Sequence, residues 1–467
     1  MKHHIFHTDT APSPRLILLF AGWGMDEKPF SGIAVPGYDL CVVWDYRDAG
    51  QDMEPILREY TEIAVIAWSF GVPAAARFIS GHPLLPITAK IAVNGTQHPV
   101  DDHSGIPAEI FRGTLEGLTE KSLGKFYLRM AGSATEFKKF AENTPERHIE
   151  ELRAELQAIA GRDGKKILWD KAIVADNDRI IPTANQLNAW KEEAVETRLT
   201  PGPHLPDFNT LLNSLLTDKT LVRRRFCRAS STYDTNAVIQ KQIAHHLMGL
   251  WPTDGTPVND ILEIGCGTGT VSRLLRERFP DAQLTLWDLS MSSKLITEFG
   301  ASCALTACDA ETAIRELPDE STDAVVSAST VQWFNSLPAF LRQVHRILRP
   351  GGKALISTFG PETMREINST LGKSSPYPAI DTLRRMVPDG LSVEHIAEDT
   401  LTLTFPSPID ALRHVRLTGV NALHTASPAA VTRALLRDYP TLPSSEAPLT
   451  YQPIYIILTK RRANDHS

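Results

Sequence analysis

The stretch Ile63-Ala64-Val65-Ile66-Ala67-Trp68-Ser69-Phe70-Gly71 determines the architecture of the first part of the chain. Its first five residues are continuously apolar, which is typical of a parallel strand covered on both faces. A serine between the small residues Ala67 and Gly71 follows, and a helix-like segment begins at Val72. Strand, tight turn and helix in this order present the Ser69 hydroxyl at the edge of a sheet, where it is a candidate nucleophile.

Two later residues complete a candidate catalytic triad. In hydrolases built this way the serine is followed along the chain by an acid and then by a histidine. Asp178 follows an apolar run that ends at Ala175, and His204 lies in a loop further on. We expect His204 to take the Ser69 proton and Asp178 to hold the imidazole tautomer. Asp176 stays open as an alternative acid because it follows the same strand.

The tetrahedral intermediate of such a reaction needs two backbone N–H donors. One is expected from Phe70, directly after the serine, and the other from Trp23 in the loop after the first apolar strand. Residues 107–160 look helical and charged, and they interrupt the alternation of strands and helices. This insertion is expected either to cap the site or to be an ordinary surface helical pair.

Three local stretches of the first part resemble one known family. They are the serine stretch, Ala21-Gly22-Trp23-Gly24-Met25-Asp26, and Asn94-Gly95-Thr96 with Gly105-Ile106-Pro107. Together they resemble the pimeloyl-[acyl-carrier protein] methyl ester esterases of the BioG type, a short α/β-hydrolase family of biotin synthesis. The resemblance covers residues 1 to about 215. It implies an N-terminal α/β-hydrolase domain that removes a methyl ester from an acyl chain tethered to a carrier protein.

A second motif, Glu263-Ile264-Gly265-Cys266-Gly267-Thr268-Gly269, lies between a strand candidate and a helix candidate at Val271–Phe279. Glycines allow a ligand to approach the backbone closely. Their spacing here is G-x-G-x-G and differs from the dinucleotide pattern G-x-G-x-x-G. An NAD-type site remains the less favoured alternative, since it also places an acid near the end of the following strand.

Acidic residues follow the next two strands. Asp288 is positioned for ribose hydroxyls, and Asp309, followed by Ala310, for an adenine amine. Glu263 is expected to order the glycine loop or to meet the methionine end of the ligand. This arrangement resembles class I S-adenosylmethionine methyltransferases, and the resemblance implies S-adenosyl-L-methionine as cofactor, bound by Glu263, Gly265, Gly267, Gly269, Asp288, Asp309 and Ala310.

Further stretches narrow the second resemblance. Tyr233-Asp234, Ser329-Thr330-Val331-Gln332-Trp333 and Leu348-Arg349-Pro350-Gly351-Gly352 together resemble the malonyl-[acyl-carrier protein] O-methyltransferases of the BioC type. This second resemblance extends over residues 226–467. The resemblance implies methylation of a free carboxylate, with Tyr233 closing over the cofactor. Such an acceptor is expected to need a cation, for which Arg413 and Arg416 are candidates.

The fold class predicted for the whole chain is α/β in two domains. Residues 1–218 are expected to form the α/β-hydrolase domain and residues 219–467 a class I, Rossmann-like methyltransferase domain. Two late strand candidates, Thr400–Phe405 and Pro453–Leu458, are expected to form an antiparallel hairpin at the edge of the second sheet.

Composition excludes several classes of partner and site. The net charge is 48 − 55 = −7, which argues against a nucleic-acid or membrane surface. The five cysteines have no CxxC spacing, and no signal peptide is apparent, so a cytoplasmic location is expected. No metal site is expected, because His3, His4 and His7 have no cysteine or carboxylate cluster near them and read as a disordered or edge-strand terminus.

The resemblances imply a bifunctional enzyme of biotin precursor synthesis. Methylation masks the malonyl carboxylate at the start, and the esterase unmasks the finished pimeloyl chain. The expected partner is an acyl carrier protein, for which two basic surfaces are candidates: Lys121, Lys125 and Arg129, and Arg223–Arg225 with Arg228. The alternatives are a methyltransferase of another small carboxylic acid fused to a generic esterase, or to a hydrolase-like module without catalysis.

Overall fold

The computed structural model describes residues 1–7, 13–48, 53–160, 165–253, 255–371, 375, 377–418 and 435–462. The chain divides into two compact units, Met1–Leu216 and Thr217–Ser467. Each is an α/β structure built on a seven-stranded sheet, so the predicted fold class is confirmed. In the described part of the chain no helix is long and apolar enough to cross a membrane.

The sheet of the first unit has the order β1-β3-β2-β4-β5-β6-β7. All neighbouring strands are parallel except the edge pair β1 and β3. His3 and His4 therefore lie in an edge strand, one of the two states that the sequence left open. Strands β3 and β4 are buried along their whole length, as expected for parallel strands covered on both faces. The strands are β1 Lys2–Phe6, β2 Arg15–Phe20, β3 Asp39–Trp44, β4 Glu62–Trp68, β5 Ile87–Val93, β6 Lys171–Ala175 and β7 Thr197–Thr200.

The helices of the first unit surround this sheet and fill the interval between β5 and β6. The four helices α3 to α6 of that interval form the insertion that begins near residue 107. The helices are α1 Glu54–Leu57, α2 Gly71–Gly81, α3 Ala108–Glu116, α4 Glu120–Ala131, α5 Ala134–Ala141, α6 Ile149–Ala160, α7 Thr183–Glu192 and α8 Phe208–Leu215.

The main sheet of the second unit has the order β10-β9-β8-β11-β12-β16-β13. The first five strands in that order are parallel, and β16 is antiparallel to both β12 and β13. The strands are β8 Asp260–Ile264, β9 Gln283–Asp288, β10 Ala304–Ala307, β11 Thr322–Ala328, β12 Leu348–Phe359, β13 Leu391–Glu398, β14 Leu401–Phe405, β15 Ala447–Tyr451 and β16 Pro453–Lys460.

The helices of the second unit begin directly after the division between the units. The first two precede the sheet, and α11 to α14 connect its parallel strands. The helices are α9 Lys219–Asn236, α10 Val238–Gly249, α11 Thr270–Arg278, α12 Ser293–Phe299, α13 Ala310–Ala313, α14 Leu337–Ile347, α15 Arg365–Thr370, α16 Ile380–Arg385 and α17 Pro408–Leu417.

The predicted hairpin of the two late strands is wrong. Strand β14 pairs with β15 in a separate two-stranded sheet, and β16 lies inside the main sheet between β12 and β13. The residues of β16 from Pro453 to Leu458 are all buried, so both faces of this part of the strand are covered. Both late segments are correctly predicted as strands, but no local pattern in the sequence indicates β15 or the pairing of β14 with it.

Candidate active sites

The turn after β4 holds Ser69 in a strained backbone conformation. Its φ is 57°, in the left-handed region that residues other than glycine rarely adopt. A Cβ atom on Gly71 would collide with the carbonyl oxygen of Phe20, and one on Gly95 would lie 2.5 Å from the carbonyl oxygen of Ser69. Both glycines are therefore required by close packing around the serine. Strain of this kind is typical of functional sites.

Ser69, His204 and Asp178 form one hydrogen-bonded series. The distance from His204 Nε2 to Ser69 Oγ is 3.0 Å, and that from His204 Nδ1 to Asp178 Oδ2 is 2.7 Å. The side chain of Asp178 is fully buried, and that of His204 is 1% exposed. The remaining bonds to the Asp178 carboxylate come from the amides of Ile180 and Ile181 and from Gln186. Hydrogen bonds from the protein thus satisfy both oxygens of the buried carboxylate.

Asp176 lies elsewhere. It is exposed, and its carboxylate accepts a hydrogen bond from the amide of Gly202 at 3.0 Å. Of the two acids that follow β6, the structure thus brings Asp178 to the imidazole, and Asp176 fixes the backbone of the histidine loop.

Two residues position His204 from its backbone side. The indole of Trp68 and the side-chain amide of Asn94 both donate to the His204 carbonyl oxygen, at 2.9 and 2.8 Å. Asn94 in turn accepts from the amide of Ala175 at 2.7 Å, which joins β5, β6 and the histidine loop. Sequence reasoning quoted Asn94 only as part of a motif and assigned it no role.

The expected oxyanion donors face one small cavity with the serine. Trp23 and Phe70 line a cavity of about 30 Å³ together with Ser69. Phe70 precedes the first turn of α2, where backbone N–H groups have no partner within the helix. Across the described residues, the backbone N–H groups of Trp23 and Phe70 have no protein acceptor.

The helical insertion covers this cavity. Phe111 of α3, Phe126 of α4 and Leu156 of α6 line it, so of the two expected roles the structure shows a cap. An outer cavity of about 300 Å³ adjoins it, and Trp23 and Phe126 line both. Their rings meet edge to face with centroids 5.0 Å apart. The outer cavity is also lined by Lys125 and Arg129, so two basic side chains contribute to its wall.

In the second unit the glycine motif forms a loop between β8 and α11. The φ angles of Gly265, Gly267 and Gly269 are 79°, 52° and 86°, in a region that glycine adopts without strain. Asp288, at the end of β9, accepts hydrogen bonds from the amides of Gly267 at 2.9 Å and Ser290 at 3.0 Å. Burial raises the pKa of the Asp288 carboxyl group, and these amide donors oppose that effect.

Glu263 lies behind the loop. It is 2% exposed, and the hydroxyl of Ser272 on α11 donates to its carboxylate at 2.6 Å. Burial raises the pKa of Glu263 to about 8, while the bond from Ser272 acts in the opposite direction. Of the two roles expected for Glu263, this contact supports the ordering of the loop.

Asp309 carries an ion pair that the sequence did not predict. The ammonium group of Lys219, at the start of α9, lies 2.8 and 2.9 Å from the two Asp309 oxygens and 2.6 Å from Glu311. Lys219 is 6% exposed and Glu311 is 4% exposed. Burial raises the pKa of Glu311, and the charge of Lys219 counteracts this. No local pattern reveals this pairing, since the partners are some ninety positions apart.

A cavity of about 260 Å³ opens beside the glycine loop. Six of the eight predicted ligand-binding residues line it: Tyr233, Gly265, Gly267, Asp288, Asp309 and Ala310. The other two, Glu263 and Gly269, are not among its lining residues. Sequence reasoning did not select Trp287, Ser329 or Trp333, which also line the cavity. Arg413 and Arg416 are exposed on α17 and are not among its lining residues.

Fold and site define the class of each unit. The first is an α/β-hydrolase domain and the second is a class I, Rossmann-like methyltransferase domain. Residues 4–211 match the family described as "Pimeloyl-ACP methyl esterase BioG", and residues 262–356 match the family described as "Methyltransferase domain". The chain belongs to the malonyl-[acyl-carrier protein] O-methyltransferase family, in a form that carries a BioG domain at its N-terminal end.

Individual relatives match one or both units. The malonyl-[acyl-carrier protein] O-methyltransferase of Bacteroides fragilis (strain 638R) is 36% identical over 463 residues, which is 95% of this chain and 93% of that protein. An uncharacterized protein of Haemophilus influenzae is 39% identical over 38% of this chain and 81% of its own length. The crystal structure of SeMet-BioG from Haemophilus influenzae is 33% identical and covers 44% of this chain and 94% of that one, with a TM-score of 0.39. The two family matches and the Bacteroides fragilis relative show that the chain is an enzyme with an esterase-family unit and a methyltransferase unit.

Proposed function

We propose that this chain is a bifunctional enzyme of biotin precursor synthesis. Its second unit methylates the free carboxylate of malonyl-[acyl-carrier protein], and its first unit hydrolyses the methyl ester of pimeloyl-[acyl-carrier protein]. The hydrogen-bonded series Ser69, His204 and Asp178 carries the esterase assignment, because it lies in a unit that matches the BioG family. The methyltransferase assignment depends on the family membership of nearly the whole chain.

The geometry of the first unit supports acyl transfer to water. Ser69 Oγ attacks the ester carbonyl carbon while His204 Nε2 takes its proton, and Asp178 stabilises the imidazolium. The negative oxygen that forms is held by the N–H groups of Trp23 and Phe70, each worth about 3–4 kcal/mol in such sites. His204 returns the proton to the departing methoxide, so that methanol leaves. Water then attacks the acyl-serine in the same way and releases the carboxylic acid.

The second unit fits S-adenosyl-L-methionine. The backbone around Gly267 is open, since a Cβ atom there would meet no atom within 4 Å. Asp288 uses each carboxylate oxygen for one amide and keeps lone pairs for ribose hydroxyls. Asp309 and Ala310 would hold the adenine, and Tyr233 would close the cavity. The cofactor supplies a methyl group on a positively charged sulfur, which retains the bonding electron pair when a nucleophilic oxygen takes the methyl.

The carrier protein is proposed to dock beside the cap. Lys121, Lys125 and Arg129 are exposed and recur every four residues along α4, so they share one face of that helix. Lys125 and Arg129 also line the outer cavity. If the acyl chain enters between Lys125 and Arg129, the acidic carrier protein to which it is attached lies near these positive charges. Charge reversal at Lys121 and Lys125, neither of which lines the cavity that holds Ser69, should slow hydrolysis of the carrier-bound ester and leave small soluble esters unaffected.

Mass spectrometry of the carrier-bound products, formed by the whole chain, tests both activities. Malonyl-carrier protein with S-adenosylmethionine should gain one methyl group, and pimeloyl-carrier methyl ester should lose one. Ser69→Ala should abolish the loss and leave the gain unchanged. Methylation without hydrolysis by the unaltered chain would contradict the esterase assignment, and absence of methylation would contradict the methyltransferase assignment.

A further inference from the structure

Two buried hydrogen-bond donors in the wall of the cavity beside the glycine loop have no acceptor. Ser329 Oγ and Trp333 Nε1 are buried atoms without a hydrogen-bond partner in the described structure. Trp333 is 4% exposed. An unpaired buried polar group destabilises the folded chain, so each such group requires an explanation. Both residues line the cavity beside the glycine loop, where a bound molecule can supply the missing acceptor.

The position of Ser329 is fixed by its backbone. Ser329 directly follows β11 and has a φ of 51°, a left-handed conformation that is costly for serine. Its amide donates to the carbonyl oxygen of Ser357 at 3.2 Å and to the hydroxyl of Ser357 at 3.0 Å. Its carbonyl oxygen accepts from the side-chain amide of Gln332 at 2.6 Å. These contacts hold the strained residue at the cavity wall.

The same segment lies against the glycine loop. Any Cβ atom on Gly265 would overlap the side chain of Thr330, so the residues after β11 pack directly on the loop proposed to bind the cofactor. Trp333 belongs to the short 3-10 turn Val331–Trp333, and its ring meets Phe226 of α9 edge to face at 5.7 Å. Phe226 also lines the cavity. The donors thus lie in a wall that borders both the glycine loop and α9.

The chemistry of the donors indicates their ligand. The sulfonium of the cofactor is a cation and gains nothing from hydrogen-bond donors, whereas an ionised carboxylate is an acceptor only. We propose that Ser329 Oγ and Trp333 Nε1 bind the carboxylate of the methyl acceptor. This inference rests on the proposed methylation of malonyl-carrier protein and names residues that select its substrate.

Selectivity between two carriers tests this assignment. In the presence of S-adenosylhomocysteine, the unaltered chain should bind malonyl-carrier protein more tightly than acetyl-carrier protein, which lacks the carboxylate. Trp333→Phe and Ser329→Ala should each reduce that preference about tenfold, since a hydrogen bond to a charged group is lost. Binding of S-adenosylhomocysteine, measured by calorimetry, should change less than twofold. Trp251→Phe is the matched control, because Trp251 is also 4% exposed but packs on Phe279 away from the cavity.

Three outcomes separate the inference from the proposed function. A malonyl preference that survives both substitutions would overturn the inference alone. A matching loss of S-adenosylhomocysteine affinity would also overturn it, because the donors would then serve the carboxylate of the cofactor. An unaltered chain that neither methylates malonyl-carrier protein nor prefers it would contradict the proposed function, and the inference with it.

Discussion

The hydroxyl of Tyr127 donates a hydrogen bond of 2.9 Å to the carbonyl oxygen of Gly24. Tyr127 belongs to cap helix α4, and Gly24 follows Trp23 in the loop that carries a proposed oxyanion donor. The indole of Trp23 donates to the carbonyl oxygen of Leu152 on α6 at 3.0 Å, and Arg147 donates to that of Met25 at 3.2 Å. The cap therefore holds three consecutive residues of this loop.

Tyr127→Phe should impair catalysis more than binding. Loss of one hydrogen bond to the Gly24 carbonyl loosens the loop, and a net bond of about 1 kcal/mol corresponds to a fall of roughly five- to tenfold in kcat. KM for a small ester should change less than twofold. Affinity for a boronic acid, which forms a tetrahedral adduct with Ser69, should fall by the same factor as kcat.

Tyr60→Phe is the matched control for that substitution. Tyr60 is also buried, but it donates to Asp39 at the amino end of β3, while the site lies at the carboxyl ends of the strands. It should leave kcat unchanged. Methyl transfer by the second unit of each variant reports whether the chain is intact. Equal kcat for Tyr127→Phe and the unaltered chain would show that the cap contact does not position the loop.

Asp178→Asn should lower esterase kcat by a factor of about 10³ to 10⁴. The asparagine amide would meet Gln186 and His204 where Oδ2 now accepts from both, so His204 would have to adopt the other tautomer. That tautomer carries a proton on Nε2 and cannot take the proton of Ser69. Asp176→Asn is the control and should retain nearly full activity. The reverse order of the two effects would assign the acid to Asp176.

Local sequence predicted the residues whose roles follow from their position at a strand end. Ser69 directly follows β4 and Asp288 ends β9, and parallel strands bring their carboxyl ends to one edge. Lys219 was not predictable, because its contact with Asp309 depends on where α9 packs against the sheet. The pairing of β16 inside the main sheet was missed for the same reason: it depends on contacts between distant segments, and no local pattern encodes it.

The buried carboxyl group of Glu263 should make the second unit less stable as pH rises. Its pKa in the folded chain is about 8 against an ordinary value of 4.5, so between these values the folded chain keeps a proton that the unfolded chain releases. The free energy of unfolding therefore falls with rising pH in this window, by up to about 1.4 kcal/mol per pH unit.

Glu263→Gln should remove this dependence, as measured by calorimetric unfolding at pH 5, 6.5 and 8. Glu277→Gln, an exposed change of the same charge on α11, should leave it in place. If the slopes of all three proteins agree, Glu263 does not carry the proton.

Lys219→Met should weaken cofactor binding in a pH-dependent manner. The substitution leaves the carboxylates of Asp309 and Glu311 without the buried cation that now contacts both. Removing one partner of a buried ion pair costs about 3–5 kcal/mol when the remaining charge stays uncompensated. Glu311 already has a raised pKa from burial, and without Lys219 its pKa should rise further. Protonation of Glu311 then reduces the repulsion between the Asp309 and Glu311 carboxylates more at pH 6 than at pH 8. Calorimetric titration should therefore show a larger loss of S-adenosylhomocysteine affinity at pH 8, about tenfold or more, than at pH 6. Lys219→Arg keeps the charge and should lose much less at both values. A loss that is equal at both pH values, or equal for methionine and arginine, would mean that the shape of the Lys219 side chain, and not its charge, supports the site.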